Sequence, residues 1–246
     1  MKKIKNPLIR RIPKELIGDW KKYLVVFLFL VLTIGFVSGM YVANESMITS
    51  ANEGVTKYKQ EDGHFELKKQ ADATLLSAIE TGEKADFKAT KTTLYENFFR
   101  NEEEDYNNDG KKDGTIRVFA KTKDINLACM LQGSFPQKAD EIAIDRMHAD
   151  NVGIKVGDTV TVSGETYKVV GLLAYVNYST LHEKTTDLMF DALKSDVAMV
   201  TQDGFDRLHK SIHYTYAWKY ETEPADEAGE KTRSDNFMRA LLTQVV

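Results

Sequence analysis

A run of twenty uncharged, mostly apolar residues near the amino end, residues 23–42, constrains this chain more than any other feature. As a helix rising ~1.5 Å per residue, the run would cover roughly 30 Å, the hydrocarbon thickness of a bilayer. Tyr23 and Tyr41 lie at its two ends, where amphipathic rings suit the membrane interface. The competing interpretation, a cleaved signal peptide, needs a shorter apolar run and a small-residue cleavage site. The sequence therefore favours an uncleaved transmembrane helix over 23–42.

Charge is distributed unevenly around this span. Residues 1–22 carry eight basic and two acidic side chains, a net +6, and because the whole chain carries −4, the remainder carries −10. Positively charged flanks stay in the cytoplasm, so we expect a cytoplasmic N-terminus in the cell membrane and an extracytoplasmic chain from about residue 43. The net charge of −4 gives no indication of nucleic-acid binding, and we expect none.

The cytoplasmic flank, residues 1–22, is a basic amphipathic segment. Ile9, Ile12, Leu16 and Trp20 recur at helical spacing. A basic amphipathic helix beside a span would lie against membrane lipid. The alternative is that the flank serves as a topology signal only.

The extracytoplasmic part, residues 43–220, is predicted to be one domain of the α+β class, strand-rich in its second half. A helix is expected to leave the membrane at Asn44 and continue to about residue 80, with an interruption near Gly63. Residues 101–114 read as a polar, acidic loop. Period-two alternation and turn signals predict strands at 91–94, 115–121, 125–131, 141–145, 159–163, 166–175, 197–201 and 212–220, and helices are expected at 146–151, 185–194 and 204–209.

The last segment, residues 221–246, is predicted to be an acidic linker followed by the start of a helix. Ser234 is a plausible N-cap, and Phe237, Leu241 and Val245 recur at helical spacing after it. The pattern has no end signal, so we expect a longer chain in which this helix leads to a second span.

A stretch over residues 131–173 carries a family resemblance. Together with the order of basic flank, span, outgoing helix and external domain, it resembles the FtsX-like permease family of ABC transporters and its MacB-like extracytoplasmic core domain. The likeness covers most of the chain and is weakest over 81–101. The residues that carry it are Gly133, Pro136, Glu141-Ile142-Ala143-Ile144, Gly153, Val156-Gly157-Asp158-Thr159 and Tyr167-Lys168-Val169-Val170-Gly171.

The resemblance implies a permease subunit that pairs with a cytoplasmic ATP-binding subunit and with a second permease copy or a homologue. In that family, ATP-driven closure moves the span and the outgoing helix, and through them the external domain. Substrates across the family include peptides, lipoproteins and antimicrobial compounds, and this sequence does not choose among them. Permeases of this family have four spans, whereas this sequence ends before a second one. The alternative is a single-span membrane-anchored binding or sensor domain, which the downstream reading frame would distinguish.

No motif predicts an enzyme, and we expect no catalytic residue and no bound organic cofactor. The 229–232 segment ends in Lys-Thr, as a Walker A motif does, but Glu230 separates that pair from Gly229, and Pro224 stands where the first glycine is required. No HExxH or GxSxG motif occurs, which disfavours a membrane-anchored hydrolase. The single cysteine, Cys129, excludes an internal disulfide and is expected to be a buried, inert thiol. The five histidines are expected to be surface or packing residues.

One motif indicates metal chemistry. Asp105, Asn107, Asp109 and Asp113 occupy positions 1, 3, 5 and 9 of a DxNxDGxxD pattern, with Gly110 at the turn. This is the front of a calcium-binding loop, in which hard oxygens at alternating positions converge on one ion. Position 12 should be a bidentate glutamate, but Ile116 stands there. The loop is either a weak calcium site, with a carboxylate borrowed from residues 102–104, or a solvated acidic turn.

Overall fold

The computed structural model describes residues 17–81, 91–178, 191, 193–222 and 224–245. The chain divides into two compact units, Met1–Glu53 and Gly54–Val246. The first is helical in its described part and the second is a strand-rich mixture of helices and strands. The predicted α+β class is therefore confirmed.

In its described residues, 17–53, the first unit consists mainly of one helix, α1 (Trp20–Lys57), which is 38 residues long and ends in the second unit. Most of the predicted amphipathic flank, residues 1–22, lies outside the described residues. None of the side chains of α1 is buried, although the stretch 23–42 is almost wholly apolar. By length and composition α1 is able to cross a membrane. An apolar helix with no protein packed around it is the arrangement that a lipid bilayer would cover.

The second unit holds ten strands and four further helices in its described part. In chain order they are β1 (Gly63–Leu67), α2 (Ala73–Thr81), β2 (Thr92–Glu96), β3 (Phe99–Asp105), β4 (Gly114–Ala120), β5 (Cys129–Gly133), β6 (Glu141–Asp145), α3 (Arg146–Val152), β7 (Thr159–Val162), β8 (Glu165–Ala174), β9 (Ser195–Val200), α4 (Gln202–Asp206), β10 (Ile212–Tyr220) and α5 (Glu227–Val245).

Six of the strands close into a ring. β3 pairs with β4, β4 with β9, β9 with β6, β6 with β8, β8 with β7, and β7 returns to β3. The β4–β9 and β6–β8 pairs are parallel and the others are antiparallel. β5 lies on the outer edge of β8, while β10 joins β3 to the outlying strands β1 and β2.

The ring encloses the main hydrophobic core. In β4, Ile116 and Val118 are fully buried because alternate side chains of a strand share one face. The other strands contribute Ile142, Val160 and Ala198 in the same way, and the ring is filled by side chains like other small barrels. The opposite face of the ring carries a second cluster that includes Phe119 and Met199.

The helix expected from Asn44 to about residue 80, with an interruption near Gly63, is confirmed up to Lys57 and again from Ala73, and is wrong between them. β1 (Gly63–Leu67) occupies the place of the expected interruption. It pairs with β10 along its whole length, with Phe65 opposite Tyr216. Its two apolar side chains, Phe65 and Leu67, alternate with polar ones, but a run this short predicts a strand only weakly, and pairing with a distant strand decides it.

The expected loop 101–114 is also wrong in its first part. Residues 101–105 belong to β3, in which Glu102 and Glu104 are fully buried. The alternation buried-exposed-buried across three glutamates follows from pairing with β4 on one side and β7 on the other. The acidic composition favoured a loop, whereas pairing with β4 and with the more distant β7 makes residues 101–105 a strand.

Other elements agree with the sequence to within a few residues. The strands near 92–96, 114–120, 141–145, 159–162, 165–174, 195–200 and 212–220, and α3 and α4, were all expected. Two outcomes differ: β5 begins at Cys129, four residues later than expected, and α5 begins at Glu227, seven residues before Ser234. Asp226 supplies the cap, because its carboxylate accepts from Gly229 N at 2.7 Å. The expected helix 185–194 lies mostly outside the described residues.

Candidate functional site

The end of α1 is the place where the long helix passes into the folded domain. α1 continues fifteen residues beyond Val42, a distance of roughly 22 Å along a helix. The two residues that follow are held by backbone hydrogen bonds: Leu127 N donates to Tyr58 O at 2.8 Å, and Asn126 N donates to Lys59 O at 3.0 Å. Within the second unit, Tyr58 and Lys59 are thus held to the segment that leads into β5.

Side chains reinforce this junction. The Tyr58 hydroxyl donates to Cys129 Sγ at 2.8 Å, and this bond together with partial burial raises the pKa of Tyr58. Glu61 accepts from Asn126 Nδ2 at 2.5 Å and contacts His64 Nδ1 at 2.7 Å. Cys129 is only partly buried, whereas the sequence predicted a buried thiol. The thiol takes part in fixing the junction.

The predicted calcium ligands lie together in one loop. Asp105 ends β3, and its carboxylate accepts from Asp109 N at 3.1 Å and from Gly110 N at 2.8 Å. Asn107 Oδ1 accepts from Asp109 N at 2.9 Å, and Asp113 Oδ2 accepts from Tyr106 N at 3.1 Å. The side-chain oxygens therefore accept hydrogen bonds from backbone N–H groups of the same loop, and these bonds stabilise the loop.

The three glutamates that were candidates for a fifth ligand make other contacts. Glu102 accepts from the Ser163 hydroxyl and from Lys210 N. Glu103 lies 3.3 Å from Lys210 Nζ. Glu104 faces His148, with 3.3 Å between Oε2 and Nε2. Their carboxylates lie in contacts outside the loop, so calcium binding by the loop stays a prediction that rests on Asp105, Asn107, Asp109 and Asp113.

A buried group of polar side chains was not predicted from the sequence. Glu104, His148 and Asp196 come from three separate elements, and their potential ligand atoms all lie within 4.8 Å of one another. All three residues are buried. They are separated by 44 and 48 residues along the chain, which matches no local motif. The group can therefore be recognised only in the folded structure.

Searches among known proteins gave only structural similarities. No family model and no curated protein matches the sequence. The fold is similar to the extracellular domain of a noncanonic ABC-type transporter, YknZ, from Gram-positive bacteria, at 13% identity and a TM-score of 0.36, over 74% of this chain and 94% of that one. It is also similar to the periplasmic region of MacB from Actinobacillus actinomycetemcomitans, at 10% identity and a TM-score of 0.37, over 69% of this chain and 75% of that one.

Proposed function

We propose that the chain is the transmembrane permease subunit of an ABC transporter and transmits ATP-driven motion from the cytoplasm to its external domain. The cargo would be a peptide, a lipoprotein or an antimicrobial compound that is exported or extracted. The family resemblance of residues 131–173 supports this proposal. The observation that carries it is the continuity of α1, which runs without interruption from the apolar stretch to Lys57.

A continuous helix is a suitable mechanical element. Its backbone hydrogen bonds lie within the segment, so it tilts or shifts as one body instead of bending locally. The hydrogen bonds that hold Tyr58 and Lys59 to residues 126 and 127 would carry such a movement into the domain. This role needs no catalytic residue in the chain itself, and ATP hydrolysis would belong to the cytoplasmic partner.

Partnership is the first point to test. Co-purification of the full-length protein from its native membrane should yield a cytoplasmic ATP-binding subunit. Deletion of residues 2–11 should weaken that association if the basic flank contacts the ATPase, and an unchanged yield would reduce the flank to a topology signal. Failure to recover any ATP-binding subunit, or ATP hydrolysis by the chain alone, would contradict the proposal.

The second test asks whether α1 transmits the ATP-driven motion to the domain. Ser50→Pro interrupts the helix between the apolar stretch and the domain, whereas Ser50→Ala leaves it intact. A spin label at exposed Lys155 in a Cys129→Ser background would report the distance between two permease copies with and without ATP. We expect the ATP-dependent change to persist in Ser50→Ala and to shrink in Ser50→Pro while ATP hydrolysis continues. An equal change in both variants would contradict transmission through α1.

A further inference from the structure

Two buried carboxylates and an imidazole meet at one end of the six-strand ring. Asp196 shares its face of β9 with Ala198 and Val200, which line the core of the ring. β3 and β9 flank β4 on opposite sides, and Glu104 is opposite Gly114 while Asp196 is opposite Ile116. These registers bring both carboxylates to the same end of β4.

α3 supplies the third side chain. The helix begins directly after β6, and Asp145 caps it by accepting from Met147 N at 2.8 Å and from His148 N at 3.2 Å. The cap fixes the first turn, in which His148 is fully buried. Ala149, the next residue, packs into the ring core. The imidazole is therefore held against the carboxylate end of the ring by both a cap and a packing contact.

The oxygens of this group lack ordinary partners. Glu104 is fully buried and Asp196 is 2% exposed. Within the described residues, neither Glu104 oxygen accepts a hydrogen bond, and Asp196 Oδ2 accepts none either. Asp196 Oδ1 accepts only from its neighbour Val197 N, at 2.6 Å. Buried carboxylate oxygens without hydrogen-bond donors are costly, because each has lost its hydration without gaining a hydrogen bond.

The charges of Glu104 and Asp196 favour a bound cation. The carboxylate oxygens of Glu104 and Asp196 and a nitrogen of the His148 imidazole all lie within 4.8 Å of one another, and all three side chains are buried. Two carboxylates so close together resist ionising at the same time. A divalent ion would neutralise both charges and supply the partner that the free oxygens lack.

We propose that Glu104, His148 and Asp196 bind a divalent transition-metal ion, for which Zn²⁺ is the best match. One imidazole nitrogen with two carboxylates suits zinc, whereas calcium and magnesium prefer oxygen ligands alone. Bonds of about 2.0–2.1 Å in a tetrahedron separate ligand atoms by roughly 3.3 Å. The distance from His148 Nε2 to Glu104 Oε2 is 3.3 Å. A second carboxylate oxygen or a water completes four ligands.

The site is structural. It is closed, with no side chain exposed to solvent by more than a trace, and structural zinc sites have this closed character. The ion would tie β3, β9 and α3 together at the end of the ring. Binding is therefore expected to appear as added stability of the folded chain, independently of any transport activity.

The first test uses the full chain purified in detergent without chelators. We expect about one zinc per chain by elemental analysis. Prolonged incubation with a chelator should lower the melting temperature by on the order of 5 °C or more. A micromolar excess of Zn²⁺ should restore it, whereas an equal micromolar excess of Ca²⁺, below the range in which the loop 105–113 would bind, should not. Substitution with Co²⁺ should give the visible absorbance of a tetrahedral nitrogen–oxygen site. A metal-free chain whose melting temperature does not respond to Zn²⁺ or chelator would overturn the proposal.

Variants separate this site from adventitious binding. Glu104→Gln and Asp196→Asn keep the side-chain shape and remove one buried charge each. Each should lower zinc affinity at least about 100-fold, because even residues outside the ligand set cost 10–100-fold. His209→Gln, at an exposed histidine, and Asp109→Ala, in the acidic loop, should bind zinc like the parent chain.

The sign of the stability change adds a second readout. With chelator present, Glu104→Gln should be as stable as the parent chain or more stable, because it removes one of two buried carboxylates whose oxygens lie within 4.8 Å of each other. With Zn²⁺ present, the parent chain should be the more stable of the two. Zinc binding that is unchanged in both Glu104→Gln and Asp196→Asn, or a stability order that does not reverse, would overturn the proposal.

Discussion

At the residue scale, the acidic loop 105–113 combines self-contained hydrogen bonding with spare acceptor capacity. Asp105 already accepts two backbone N–H groups, and Asp109 Oδ1 accepts from Lys111 N at 2.9 Å. A carboxylate has about four lone-pair sites, so an ion and the backbone can share these oxygens. The loop thus keeps oxygen acceptor sites that a cation could use, its glutamate neighbours contribute no further ligand in this arrangement, and calcium binding stays a prediction.

We predict weak calcium binding by this loop, with a dissociation constant of roughly 10⁻⁴ to 10⁻³ M. Calcium at ten times that constant should add roughly 1.4 kcal/mol to the free energy of unfolding of the full chain. Asp109→Ala should abolish the gain, because it removes one of the three carboxylates. Thermal melting with calcium and with a chelator measures both effects.

Asp124→Ala serves as the matched control. Asp124 is exposed and lies 3.7 Å from Lys59 Nζ, an ion pair at the surface that contributes little. Its loss should leave the calcium response intact. If several millimolar calcium leaves the melting temperature of the parent chain unmoved, the loop is a solvated turn.

Residues whose role is local could be predicted from the sequence, and residues whose role depends on pairing could not. Gly171 follows two β-branched residues, a pattern that indicates a buried strand with a close backbone approach, and a Cβ there would lie 2.5 Å from Ser134 O. The Val-Gly-Asp sequence around Gly157 indicates a tight turn, and Gly157 has φ of 107°. Glu104 and Asp196, by contrast, meet only because β4 lies between their strands. The sequence separation of Glu104 and Asp196 does not predict that contact.

At the scale of elements, strands with a regular period of two were predictable and short mixed segments were not. The β7–β8 hairpin was expected near Gly164, and its turn has Ser163 and Gly164 at positive φ, as a two-residue primed turn requires. β1 was not expected, because Phe65 and Leu67 give only one alternation, too short a signal next to the interruption predicted near Gly63. Its strand state comes from β10, some 150 residues away in the sequence.

α5 illustrates how one helix is held by few contacts. Phe237 is 5% exposed and packs on Trp218, with ring centroids 4.3 Å apart, and on Phe65 at 6.1 Å. The neighbouring Met238 is 42% exposed. The helix therefore presents one apolar face to β1 and β10 and leaves the other to solvent.

We predict that Phe237→Ala lowers the free energy of unfolding by about 3–5 kcal/mol, because it leaves a cavity between aromatic rings. Met238→Ala should change it by less than about 0.5 kcal/mol. Chemical denaturation of the full chain in detergent compares the two. Equal effects of both substitutions would mean that α5 does not rest on this cluster.

At the scale of the whole molecule, the chain carries opposite net charges on the two sides of the apolar stretch. Residues 1–22 carry a net +6 and the rest of the chain −10. The apolar stretch and the class of the second unit follow from sequence patterns because both are local or compositional. The closed ring of six strands does not, since the β4–β9 and β3–β7 pairs that close it join distant segments.

This charge division leads to a prediction of membrane topology. A single cysteine replacing Asn6, in a Cys129→Ser background, should resist a membrane-impermeant thiol reagent in intact cells, because basic flanks are retained in the cytoplasm. A cysteine replacing Lys111 should react, because that side chain is 81% exposed in a loop of the domain predicted to lie outside. Permeabilised cells provide the control, since both positions should then react, and the unmodified Cys129→Ser chain should react in neither condition. Protection of Lys111→Cys together with reaction of Asn6→Cys would reverse the orientation. The domain would then face the cytoplasm, and the proposed transfer of motion to an external domain would fail with it.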